Sequence, residues 1–211
     1  ESRSAPPSRG PALEAEKNGG IRVEGLIRGH MIHYTGRYIA EDPVLSKRVK
    51  PELLERIRHD QTAFQGKDWR PRTELTSLWH AIADAVEPRE PDAVYAALVR
   101  CGEHVGNYAT NTFFKLLLKI LTPRMFASRF SEFYKRDQIG GEGIVEEVAS
   151  NRVVLLARGI KGYDHFGPVT SGWASVPFRG MGLKNVKVTC SPWSLEEPGP
   201  DEVRFVITWD A

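Results

Sequence analysis

At Gly140-Gly141-Glu142-Gly143 the hydrophobic period of this chain changes, and that change constrains its fold more than any other feature. Before it, apolar residues recur at i, i+3, i+4 and i+7, the spacing of an amphipathic helix. After it they alternate with polar residues, the spacing of a half-buried strand. A chain divided in this way makes helices first and an antiparallel sheet second, and each must bury its apolar side against the other. That is the α+β class.

From Ile21 to about Arg136 the pattern is helical. Gly25–Tyr34 (GLIRGHMIHY) opens a first helix, Leu26–Ala40, that is apolar on more than one side. Pro51 suits a first helical turn, and Leu53, Leu54, Ile57 and Phe64 follow it. Thr73 and Thr76 are candidate caps before Leu75, Leu78, Trp79, Ile82 and Val86. The stretch Glu87–Asp92 (EPREPD) ends that helix and starts the next. The strongest periodic signal runs from Val105 through Tyr108, Ala109, Thr112, Phe113, Leu116, Leu117, Ile120 and Leu121, and predicts a central helix buried on most sides. Thr122-Pro123 supplies a cap and an N1 proline for one further helix bearing Met125, Phe126, Phe130, Phe133 and Tyr134. Lys135 and Arg136 fall in its last turn, where they suit the helix dipole.

Beyond the glycines, Ile144–Val148 and Val153–Ala157 read as strands joined at Ser150-Asn151. Val186, Val188 and Cys190, and then Val203, Phe205, Ile207 and Trp209, mark two more with period 2. A weak helix, Phe166 to Met181, lies between the pairs. The expectation is a helical N-terminal layer packed on a small antiparallel sheet, with a ββαββ C-terminal part. Residues 1–20, rich in Ser, Pro, Gly and charge, read as a disordered tail or linker, and 21–211 as a single domain. The chain opens on Glu1 rather than Met, which suggests an upstream segment.

Several function classes receive no support. Net charge is +2, and the basic residues around Lys47–Arg58 and Arg70–Arg72 are interspersed with acids, so no nucleic-acid surface is expected. No run approaches the roughly 18 apolar residues of a membrane span. The two cysteines, Cys101 and Cys190, give no disulfide framework, and a reducing, cytoplasmic compartment is the reading. His30 and His33 share a helix face, as do Cys101 and His104, yet neither pair has the further groups that a metal site or an activated thiolate needs. The glycine-rich 140–143 segment follows a helix and enters a strand, the reverse of a phosphate cradle. Trp69, Trp79, Trp173, Trp193 and Trp209 read as core anchors.

The richest local cluster is Gly159–Trp173 (GIKGYDHFGPVTSGW), which joins a strand to a helix, a connection where ligands often lie. It offers a phenol, a carboxylate, an imidazole, hydroxyls and an indole. A glycine-punctuated turn plugged by aromatics and a ligand-lining loop both accommodate it.

The order of these segments carries a resemblance. A Gly-Leu-Ile start, Phe114–Pro123 (FKLLLKILTP), Phe133–Lys135 (FYK), Val186–Cys190 (VKVTC) and Val203–Trp209 (VRFVITW) together resemble the Myxococcales-restricted paralogous family, over roughly residues 21–210. More distantly the chain is similar to 4-vinyl-reductase-type and haem-nitric-oxide-binding sensor domains. The resemblance implies helices on a small antiparallel sheet, enclosing an apolar pocket for a small hydrophobic molecule or lipid chain. The resemblance extends to vesicle-tether subunits, which share the fold of these sensors and use it for dimerisation and assembly. Metal-binding relatives carry a second cysteine in the last hairpin, where Cys190 here stands alone. None of His33, His80, His104 and His165 matches a haem-ligating position of the family, and the cofactor is left unknown.

Three readings follow. The first is a non-enzymatic sensory or regulatory module that binds a small apolar ligand, lined by Phe113, Leu117, Phe130, Tyr163, His165, Phe166 and Trp173. The second is a homo-oligomerising interaction module, a homodimer or a partner-bound form, built on the apolar first helix; there Ile32→Glu would break the interface. The third is an enzyme using Asp164 or His165 as a base in the Tyr163–Ser171 loop, for which no catalytic constellation is complete.

Overall fold

The computed structural model describes residues 25–63, 68–109 and 118–210. The expectations placed on residues 1–24, on Phe64 and on 110–117, with Phe113 and Leu117 among them, lie outside these. Strand β1 (Leu26–Arg28) leads into α1 (Gly29–Glu41), α2 (Leu45–Arg48) and α3 (Pro51–Ala63). Then come β2 (Trp69–Pro71), α4 (Arg72–Ala85), α5 (Pro91–Ala109), α6 (Pro123–Ser128) and α7 (Phe130–Asp137). Strands β3 (Gln138–Ile139), β4 (Glu142–Val148) and β5 (Arg152–Arg158) follow, then α8 (Phe166–Gly180), β6 (Lys187–Ser191) and β7 (Glu202–Thr208). The class is α+β, and the C-terminal part is ββαββ, as the change of period requires.

The larger sheet has the order β4-β5-β7-β6, antiparallel throughout. On its inner face Val153, Leu155 and Ala157 of β5 stand opposite Ile207, Phe205 and Val203 of β7, all at most 1% exposed. Helices α6, α7 and α8 lie directly on this face, and α5 packs on α8 with α1 and α4 behind it. β5 is central, so its other face is covered too. Val154 and Leu156 are buried beneath an ion-pair lattice in which Arg204 grips Glu146 through two hydrogen bonds (2.6 and 2.9 Å). Arg158 bonds Glu202 and approaches Glu142 within 3.7 Å in the same lattice. The aliphatic stems of such residues shield apolar surface while their heads stay wet.

The hub is the contact between α5 and α8, and glycine makes it possible. A Cβ on Gly102 would lie 1.9 Å from the Val169 carbonyl oxygen, and one on Gly172 would lie 2.0 Å from that of Val99. The two backbones therefore touch at positions where no other residue fits.

Three expectations are corrected. Leu26–Arg28 is a strand rather than helix, because it pairs on one side with β2 (Leu26↔Pro71) and on the other with β3 (Leu26↔Ile139). Partners of three and two residues, distant in sequence, leave no periodic trace. Thr73 and Thr76 lie inside α4 rather than capping it; the N-cap is Pro71, and Thr76 Oγ1 donates to the Thr73 carbonyl. The single helix expected over Met125–Tyr134 is two, broken at Arg129 (φ −101°, ψ 2°), although Thr122 does cap the first by accepting from the Met125 amide. Ile32 and Ile39 of α1 are 5% and 0% exposed, packed within the domain. Helix α1 packs on α3, α4 and α5, so Ile32→Glu is a core substitution.

Candidate functional site

A cavity of about 50 Å³ lies where the helical layer meets α7 and α8. Its walls come from both sides of the molecule. Ile27 (β1), Met31 (α1), Trp79 (α4) and Val105 (α5) face Phe130, Phe133 and Tyr134 of α7 and Phe166, Val169 and Trp173 of α8. Tyr163 closes one part of the wall, and Asp137, Gln138 and Thr170 add polar groups. Helical spacing explains the set: Phe130, Phe133, Tyr134 and Asp137 share one face of α7 at i, i+3, i+4 and i+7, as do Phe166, Val169, Thr170 and Trp173 on α8.

The rings around this cavity are in mutual contact. Trp79 stacks on Tyr163 at 5.0 Å between centroids, and Tyr163 meets Phe166 at 4.9 Å. The Arg72 guanidinium, itself buried, lies 4.6 Å from the Tyr163 centroid. It donates to the carbonyls of Gly140 (2.9 Å) and Ile139 (3.3 Å), and its Nε is buried with no hydrogen-bond partner. Burial pushes the Tyr134 phenol up to about 12, and the Tyr163 phenol higher still, with Arg72 opposing the shift in both. Both phenols are neutral at physiological pH. Asp137 accepts two hydrogen bonds from Arg136 (2.9 and 2.6 Å), with His30 Nε2 at 3.8 Å.

Of the residues expected to line a pocket, Phe130, Tyr163, Phe166 and Trp173 stand in this wall. His165 does not. It sits in the left-handed region (φ 62°) just before α8, 6% exposed, and its ring neighbours are His80 at 4.8 Å and Trp193 at 6.5 Å. Neither of its nitrogens has a hydrogen-bond partner, and burial, with His80 adding to it, pushes its pKa down to about 4. The adjacent Asp164 is a tie rather than a base. Its Oδ2 lies 3.0 Å from His80 Nε2, and its Oδ1 accepts from the Gly199 amide, holding the 192–201 loop.

The Ser171 hydroxyl donates to the Gly167 carbonyl at 2.9 Å. Cys101 is fully buried and its thiol is pushed up to about 12 by that burial. Among the described residues no group of three or more His, Cys, Asp or Glu side chains could hold a metal ion. No described helix is long and apolar enough to cross a membrane.

Ile27, Met31, Trp79, Val105, Tyr134, Asp137, Gln138, Val169 and Thr170 join the wall without having been expected there. Trp79 and Val105 were legible as apolar positions on their helices, but only the tertiary fold shows that they meet α7 and α8.

No family model matches the chain, and no curated protein is similar to it in sequence. Solved structures do match it. An H-NOX protein from K. algicida, in the Fe(II) unliganded state, superposes with a TM-score of 0.58 at 14% identity, over 88% of this chain and 97% of that one. A single-site mutant of the same protein gives 0.59 at 16% identity, over the same shares. An H-NOX protein from S. oneidensis, in the Fe(II)NO ligation state, gives 0.56 at 10% identity, over 88% and 100%. The fold is therefore H-NOX-like.

The haem-nitric-oxide-binding likeness implies haem. A pocket for a ligand of that size needs roughly 300 Å³ or more, against about 50 Å³ here. Haem iron is held by His, Cys, Met or Tyr. Among the described residues the wall contains no His or Cys, both its phenols are held neutral, and Met31 is the one thioether. The described residues of this wall do not fit haem.

Proposed function

We propose that this chain is a non-enzymatic sensory or regulatory module that takes a small apolar ligand in the cavity between its helical layer and the α7–α8 side. The observation that carries this reading is the origin of the walls. One guest would touch β1, α1, α4 and α5 on one side and α7 and α8 on the other, so occupancy would bias the packing of both layers together. The H-NOX-like fold supports a sensory role, since structures of that fold are described with iron-bound small ligands. On this reading residues 21–211 act as one input domain, and the likeness to the Myxococcales-restricted family and to 4-vinyl-reductase-type sensors belongs to the same proposal.

The test is a thermal-shift series with small apolar compounds on the wild type and on Val105→Ile, which adds a methylene at the cavity wall. A Tm that rises with compound concentration in the wild type, and does not rise in the variant, supports the reading. Equal rises in both contradict it.

A further inference from the structure

The space between the two layers is closed by the chain's own rings. Trp79, Tyr163 and Phe166 are 2%, 1% and 4% exposed, and their centroid separations of 5.0 and 4.9 Å leave no gap into which a third ring could slide. Phe166 is backed in turn by Phe205 of the central sheet at 6.0 Å, and Trp79 and Tyr163 are nearly parallel, at 24°. A planar prosthetic group could enter only by expelling this stack from the core.

We propose that the Trp79–Tyr163–Phe166 stack excludes haem from this H-NOX-like fold, and that the space left over admits neutral, nonpolar guests of two or three heavy atoms bound directly by the protein walls. This rests on the sensory reading above and names the ligand class for it. Size supports the limit: an apolar cavity of about 150 Å³ stays dry and takes benzene or xenon, and this one has a third of that volume. Polarity supports it as well. The Asp137 carboxylate in the wall is already engaged by Arg136, and the Tyr134 and Tyr163 phenols are neutral, so among the described residues the wall offers a charged guest no unengaged counter-charge. Guests this small reach a Kd no tighter than about 0.5 mM, so the domain responds to an abundant molecule rather than a trace one.

The experiment uses the full chain with methyl-labelled Ile and Val, xenon under pressure as the small guest and haemin as the large one. The expected result is saturable xenon shifts at the Ile27, Val105 and Val169 methyls, with a midpoint in the millimolar range. Haemin should give no sharp Soret band at one equivalent and should leave the xenon shifts in place. In Val105→Ile the xenon shifts should vanish while the spectrum stays that of a folded protein. A one-to-one haem complex with a sharp Soret band that abolishes the xenon shifts overturns the exclusion and leaves the sensory reading standing. Wild-type methyls with no saturable xenon shift overturn direct occupancy, and the sensory reading falls with it.

Discussion

Replacing Gly172 by alanine tests the scaffold that positions the cavity. The new Cβ would stand 2.0 Å from the Val99 carbonyl oxygen, 2.8 Å from the Glu103 amide nitrogen and 2.9 Å from the Val99 carbonyl carbon. These are backbone atoms of α5, so no side chain can rotate away. Restoring an ordinary contact of about 3.4 Å means moving α5 and α8 apart by roughly 1.4 Å. Overpacking of this kind costs about 3 kcal/mol or more when the neighbours cannot yield. The better helix propensity of alanine returns about 1 kcal/mol, leaving a net loss of about 2 kcal/mol. For a chain of this length that corresponds to a Tm lowered by about 4–8 °C.

Thermal unfolding followed by circular dichroism measures it, with Gly182→Ala as the contrast. Gly182 has open space around it but φ +87°, so its substitution should cost only the backbone strain, about 1 kcal/mol. A Gly172→Ala protein as stable as the wild type, or less affected than Gly182→Ala, would refute the close-contact argument.

Further outcomes follow from the same structure. Val105→Ile should raise stability by up to about 0.8 kcal/mol, read as a urea midpoint shift at constant slope, because the added methylene fills apolar space instead of displacing a neighbour. A loss of 1 kcal/mol or more would mean that the cavity is closed at Val105. The buried His165 binds its proton less readily in the folded state than in the unfolded chain, so its contribution to stability is present above pH 6.5 and is lost as pH falls toward about 4. The full window corresponds to about 3 kcal/mol. His165→Asn, which tolerates the left-handed turn, should flatten the stability slope between pH 6.5 and 4, and an unchanged slope would remove His165 as its source. Alkylation of the native protein at pH 8 should spare Cys101, which is 0% exposed and has its thiol pushed up to about 12. Labelling of Cys101 at the rate of a free thiol would contradict that burial.

The sequence carries the sheet almost in full, and the reason is local. The strands β4, β5, β6 and β7 alternate or run apolar over five to seven residues, and Ser150-Asn151 marks the first hairpin, so nearby residues suffice. Leu26–Arg28 shows the opposite case. It reads as helix because its neighbours are helical, and it becomes a strand only because Trp69–Pro71 and Gln138–Ile139 arrive beside it from far along the chain.

The same distinction divides the site. Phe130, Phe166 and Trp173 lie on helix faces whose period is visible, and Tyr163 lies in the glycine-punctuated turn before α8. His165 is one residue from Phe166, yet the turn at φ 62° sends it to His80 and Trp193 instead of the cavity. Adjacency in sequence does not fix direction across such a turn. The cavity volume depends on how rings from separated segments settle against one another, which no period records.

A crystal structure determined under xenon pressure shows the occupancy of the cavity itself. One xenon atom is expected within contact of Val105, Phe130, Val169 and Trp173, with the Trp79–Tyr163 stack undisturbed. A planar group lying between the layers, or a cavity that stays empty while xenon binds elsewhere, would contradict that occupancy.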